Sequence, residues 1–147
     1  MATRGLQDSV RFEDLVPAEL LPHSIGLADL AVVTLRPGFE GLMVPSKMLG
    51  YMSRAIPTLY IGPHSDISEL VASSNGGLAF ANGDATGVAA AIVDSCRGTL
   101  DTQAMANRAR TFYECHLSAR HGLAQHQSIL EYCLTQPASR ASRVPHQ

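Results

Sequence analysis

Short apolar runs that alternate with helix-length segments are the feature that most restricts the fold of this chain. LAVVTL (30–35), PTLYIG (57–62) and GGLAFA (76–81) read as strands, and a weaker strand is predicted over 10–12. The segments between them have the apolar spacing of helices. Strands that alternate with helices in this way predict an α/β fold: a partial Rossmann-like parallel sheet of about four strands, covered on both faces by flanking helices.

Capping residues and periodicity place the helices. Pro45 suits the first turn of one helix, and Ser65 and Asp84 are predicted N-caps of two others. We predict helices over 17–28, from Pro45, from Ser65 and from Asp84, followed by two C-terminal helices over 102–116 and 119–134. The chain therefore divides into an N-terminal extension (1–9), a partial α/β domain (10–98), C-terminal helices (99–135) and a disordered tail (136–147).

Composition excludes several classes of function. The 147 residues carry a net charge of −2, with 16% charged and 46% hydrophobic residues, so nothing indicates a nucleic-acid surface or a polybasic membrane patch. No stretch has the 18 or so consecutive apolar residues of a membrane span. The cysteines are odd in number and lack a C-x-x-C pattern, which favours a reduced, cytoplasmic setting without disulfides: Cys96, Cys115 and Cys133. Association with the inner face of a membrane stays open.

The segment with the clearest chemistry is FEGLMVPSK, residues 39–47. It follows a predicted strand, where ligands bind in open parallel sheets. Gly38 and Gly41 permit close approach of the backbone, and the helix that begins at Pro45 offers unpaired N–H groups, to which Ser46 adds a hydroxyl and Lys47 a charge. This is a plausible phosphate cradle. A simple turn followed by a good helix start explains the same residues, and no Walker or dinucleotide fingerprint is present.

A longer stretch carries a family resemblance. Residues 26–92, with the VPSK segment, Pro57, the pair Ser68-Glu69 and the pair Gly83-Asp84 in order, resemble the C-terminal, nucleotide-sugar-binding half of a GT-B glycosyltransferase of family four, of the VPSK type found in bacterial surface-polysaccharide synthesis. The likeness covers roughly 10–96. It implies binding of a nucleoside-diphosphate sugar for glycosyl transfer in polysaccharide or glycan synthesis, without a metal ion or other cofactor.

The resemblance implies a donor site position by position. The donor-binding residues that it implies are Glu40, Gly41, Leu42, Met43, Val44, Ser46, Lys47, Ser65 and Glu69. Gly50 stands where many members have an acid that contacts the ribose. Glu40 is the only nearby acid, so the contact with the sugar or ribose is assigned to it. Ala55 and Ile56 replace a usual glycine and cation. For Glu69, an exposed position on a helix face remains the alternative. For His64, beside Ser65, a solvated loop position is the preferred interpretation. No catalytic residue is identified.

The resemblance also implies that this chain lacks parts of a whole enzyme. By the resemblance, we expect the chain to start at about the second or third strand of the donor domain and to lack the acceptor domain. We therefore expect a fragment, inactive by itself, that pairs with a separate N-terminal acceptor domain; the alternative is a non-catalytic nucleotide-binding or scaffold remnant. The last two helices would lack their usual neighbour, which predicts a homo-oligomer.

Overall fold

The structure is a computed structural model that describes residue 5 and residues 8–42 and 46–135. In these residues, three short strands alternate with helices, and two further helices follow. The elements are α1 (Leu21–Ile25), β1 (Ala31–Thr34), α2 (Ser46–Met52), β2 (Thr58–Ile61), α3 (Asp66–Ser74), β3 (Gly77–Phe80), α4 (Ala85–Arg97), α5 (Thr102–Phe112), a π-helical segment (Tyr113–Leu117) and α6 (Ala119–Thr135).

The strands form one parallel sheet in the order β1-β2-β3. Val33 pairs with Tyr60, and Tyr60 pairs with Ala79. The predicted α/β class and parallel sheet are confirmed, but the fourth strand, at 10–12, is wrong: those residues have no regular structure and pair with no strand of the described chain. A strand owes its conformation to hydrogen bonds with a neighbour, and three residues without one do not hold it.

Burial of the sheet is uneven. The central strand β2 is buried along nearly its whole length, and on β1 the side chains of Ala31 and Val33 are buried. Val32 and Thr34, on the opposite face of β1, are exposed, Val32 by 50%. The prediction that both faces are covered is therefore wrong for β1, because α2, which packs on this edge strand, lies on one side of it only.

Most helix predictions hold, with shifted ends. Asp84 caps α4 by accepting a hydrogen bond from the N–H of Gly87 at 2.9 Å, and Ser65 precedes α3 as its N-cap. The first helix is shorter than predicted, since Pro22 cannot donate a backbone hydrogen bond and is tolerated only in a first turn. The helix predicted over 102–116 turns π-helical at Tyr113. No helix in the described residues is both long and apolar enough to cross a membrane.

Helix α5 packs directly on the backbone at the start of β3. Ala109 is fully buried, and a Cβ built on Gly76 would lie 2.6 Å from the Ala109 Cβ and 2.7 Å from its Cα. Only glycine fits at that distance. Met105 and Ala106 of α5 are buried as well, so this helix contributes to the hydrophobic core that packs against the sheet.

Two arginines beside Ala109 hold the ends of two other helices. The Arg108 Nε donates to the carbonyl of Asn75, just after α3, at 2.8 Å. The Arg110 guanidinium donates to the carbonyl of Ser53, just after α2. Carbonyls at a helix C-terminus lack partners within the helix, and a cation there also complements the helix dipole. Both α2 and α3 are thereby anchored to α5.

The end of α2 has the hydrogen bonds of a Schellman motif. The N–H of Ile56 donates to the Tyr51 carbonyl at 3.0 Å, and that of Ala55 to the Met52 carbonyl at 3.1 Å. Ala55 sits at the position that glycine usually occupies in this motif, and its φ is 55°. A side chain in the left-handed region is strained, so Ala55 stores conformational energy.

We expect Gly76→Ala to lower the free energy of unfolding by about 1–3 kcal/mol, because the added methyl would overlap α5 and force the helix away from the sheet. Chemical denaturation followed by circular dichroism measures this change. Gly50→Ala is the control: it lies within α2 with open space around the new methyl, and should raise stability by about 0.5–1 kcal/mol. Equal effects of the two substitutions would contradict the close packing of α5.

Ala55→Gly should raise the free energy of unfolding by up to about 1 kcal/mol, because glycine adopts the observed φ without strain. The same denaturation experiment applies. Ala90→Gly, at an exposed position inside α4, should instead lose about 0.5–1 kcal/mol. If both alanine-to-glycine changes destabilised the protein, the left-handed conformation of Ala55 would be wrong.

Candidate functional site

The carboxyl ends of the strands lie at one edge of the sheet, and α2 and α3 begin there. Because β1 and β2 are parallel neighbours, the loops that follow them emerge side by side. The Asn82 side chain, after β3, donates to the Leu35 carbonyl, after β1, at 3.1 Å, which ties the two outer strand ends together. In open α/β sheets this edge is where ligands bind.

A cavity of about 520 Å³ opens between α1 and the outer face of α2. One wall is apolar and comes from α1 and the turn before it; the other is more polar and comes from α2. The cavity is lined by Ala18, Leu21, Pro22 and Ile25 on the first side, and by Ser46, Lys47, Gly50, Tyr51 and Arg54 on the second.

The α2 wall is positively charged. Lys47 and Arg54 are both exposed, and neither pairs with a carboxylate of the described residues. Arg54 donates to the carbonyl of Gly50 at 3.3 Å and to the Ser53 hydroxyl at 3.3 Å, so its guanidinium is held along the helix. Two cations beside one apolar wall suit a ligand with an anionic part and an apolar part.

Gly50 leaves space in the cavity because it has no side chain. A Cβ built on this residue would meet no atom within 4 Å. Helical periodicity places it between Lys47 and Arg54, one turn from each, while Met48 and Met52 on the opposite face of α2 are buried in the core. A longer side chain at this position would project into the cavity.

The structure brings two of the predicted donor-binding residues into this cavity, Ser46 and Lys47. The loop residues before them lie outside its lining. Glu40 accepts a hydrogen bond from the N–H of Gly38 at 2.8 Å, and Gly41 and Leu42 are exposed. The predicted residues Met43 and Val44 fall outside the described residues.

Ser65 and Glu69 do not line the cavity either. The Ser65 hydroxyl forms a hydrogen bond with the buried Tyr60 hydroxyl at 2.9 Å, and its backbone N–H donates to Ser68 at 2.8 Å. Glu69 lies 3.8 Å from the His64 imidazole, and both side chains are largely exposed. These contacts give Ser65 a role in starting α3.

Sequence reasoning missed Tyr51 and Arg54, and it missed the apolar wall from α1. A signal for the α2 residues was available, since Lys47, Gly50, Tyr51 and Arg54 recur at the spacing of one helix face. No comparable signal existed for α1, because which helix lies against α2 depends on the tertiary structure. In the part of the chain that the structure describes, no three His, Cys, Asp or Glu side chains are grouped to hold a metal ion.

No family model matches the chain, and neither a curated protein nor a solved structure does. The cavity and the sequence around it are the basis for a functional proposal.

Proposed function

We propose that this chain is the C-terminal, donor-binding part of a GT-B glycosyltransferase, which binds a nucleoside-diphosphate sugar for glycosyl transfer in polysaccharide or glycan synthesis. One observation carries the proposal. Ser46 and Lys47, the residues to which the sequence resemblance assigns the donor diphosphate, line one cavity together with a second cation, Arg54.

The chemistry of the cavity matches such a donor. A diphosphate carries its charge on oxygen atoms that Lys47 and Arg54 can neutralise, and Ser46 can donate a hydrogen bond. Charge of this kind grows on the leaving diphosphate during transfer, and positioned cations stabilise it without a metal ion. The α1 wall offers Leu21 and Ile25 to the flat apolar face of a base. The volume of about 520 Å³ lies within the range of about 300–1,000 Å³ that small-molecule sites occupy.

Three further positions support the resemblance. Gly50, which stands where many family members have a ribose-binding acid, lines the cavity. Ala55 stands where family members have a glycine, and its φ is 55°, a value that glycine adopts without strain. Arg54 places a cation one residue before the family's usual glycine-cation pair. The local geometry thus explains why a glycine would be favoured at position 55.

A second candidate is a nucleotide-binding module without transferase activity. The observation that favours it is that none of the described residues lining the cavity is a carboxylate. Glu40, the acid nearest in sequence, is bonded to its own loop at Gly38. A site with cations and no acid can hold a diphosphate, but it offers no carboxylate to orient the ribose or the sugar.

Lys47 allows a direct test of binding, because it is the one lysine in the sequence. Reductive methylation with ¹³C-formaldehyde labels this side chain and the chain terminus, and the lysine signal should shift when UDP or GDP is added at millimolar concentration. Lys47→Ala should weaken binding measured by calorimetry by roughly tenfold, since one charge-assisted contact is lost. Arg97→Ala, at an exposed cation at the end of α4, is the control and should bind normally. An unmoved lysine signal and no heat of binding would exclude this nucleotide site.

We expect no glycosyl transfer by the 147-residue chain alone. Holding donor and acceptor together can supply about 7–11 kcal/mol of the barrier, and one cavity positions only one of them. The measurement is turnover of a panel of nucleotide sugars, with and without a matching acceptor domain supplied as a separate chain. Restored turnover supports the transferase. Nucleotide binding without restored turnover favours the non-catalytic module, whereas turnover by the chain alone would show that its acceptor site is already complete.

A further inference from the structure

Helix α6 leaves a row of large apolar side chains uncovered. No residue of this helix is buried. The helix contacts the π-helical segment, and His121 and Gly122, near the start of α6, are half-buried. Leu123 is 72% exposed, Leu130 64% and Leu134 85%. An isolated helix of this length is marginally stable in water, and most helices gain their stability by burying an apolar face.

Several of the exposed apolar residues share one face of the helix. Helical periodicity aligns Ala119, Leu123, His126, Leu130, Cys133 and Leu134, which we call the α6 stripe. The helix contains two residues of full charge, Arg120 and Glu131, and both lie beside the same edge of the stripe. Glu131 accepts a hydrogen bond from the Gln127 side chain at 2.8 Å, and Gln127 adjoins that edge, so the carboxylate is held near the stripe.

We propose that a second copy of this chain covers the α6 stripe, with the two α6 helices packed antiparallel about a two-fold axis near His126 and Gln127. In this arrangement Leu123 packs against Leu130 of the second copy. Ala119, a small residue, faces Leu134 of the second copy, a large one. The stripe is therefore complementary to itself when reversed, as a two-fold interface requires.

The charges select the antiparallel direction. A two-fold axis perpendicular to the helices brings the same edge of each stripe together in reverse order, as in antiparallel coiled coils. Measured along the helix axis, Arg120 and Glu131 of the second copy are then offset by only about 3 Å. Two ion pairs form across the dimer. A parallel dimer would place the charged edge against the opposite, uncharged edge and would leave both ions unpaired.

Sedimentation of the full chain over a range of concentrations tests the dimer. Leu130→Gln should raise the dimer Kd by roughly a hundredfold, because each of the two copies loses a buried leucine. Tyr132→Gln is a matched control: Tyr132 is also 64% exposed on α6 but lies off the stripe, and its change should alter Kd by less than about threefold. A monomeric wild type, or equal effects of the two substitutions, would overturn the proposal.

Charge reversal and crosslinking test the direction. Glu131→Arg should weaken the dimer at low salt, and adding Arg120→Glu should restore it. With Cys96→Ser and Cys115→Ser, the native Cys133 should form no disulfide on oxidation, because antiparallel helices hold the two copies about 20 Å apart at this position.

A variant that also carries Cys133→Ser and His126→Cys should crosslink, since residue 126 lies beside the proposed axis. A disulfide through Cys133 would indicate a parallel dimer, and the absence of one through position 126 would contradict the proposed axis; either result would overturn the antiparallel arrangement. Failure of these tests leaves the nucleotide proposal untouched, because Lys47 lies on α2 and its binding is measured separately.

Discussion

The close contact between Ala109 and Gly76 is the constraint on which the rest of the fold depends. Because position 76 has no side chain, α5 lies against the backbone at the start of β3, and its flanking arginines reach the ends of two other helices. Arg110 holds the end of α2 and Arg108 the end of α3. One helix thus fixes the C-terminal ends of α2 and α3.

Anchoring α2 at its C-terminal end decides what its outer face can do. Met48 and Met52 are buried against the sheet, so helical periodicity turns Lys47, Gly50 and Arg54 away from the core. The cations need no buried partner, because their charged ends stay near water. One face of this short helix packs in the core, and the opposite face forms the polar wall of the cavity. The cavity exists because α1 lies alongside that outer face.

The candidate site was partly predictable. Ser46 and Lys47 could be found because a strand, a loop with glycines and a helix start follow one another in the sequence, and local chemistry is enough to propose an anion site there. Arg54 lay within reach of the same reasoning by helical spacing. The position of Ser65 as the N-cap of α3 was predictable, but the partner of its hydroxyl was not, because only the packing of β2 against α3 brings Tyr60 to it.

Local sequence by itself determined the order of strands and helices and the cap at Asp84. These features depend on neighbours within a few residues, where backbone sterics and periodicity act. Tertiary structure alone decided that 10–12 forms no strand, that one face of β1 is exposed and that the α6 stripe is uncovered. The apolar pattern of a segment states that it can be buried; whether it is buried depends on which distant element lies against it.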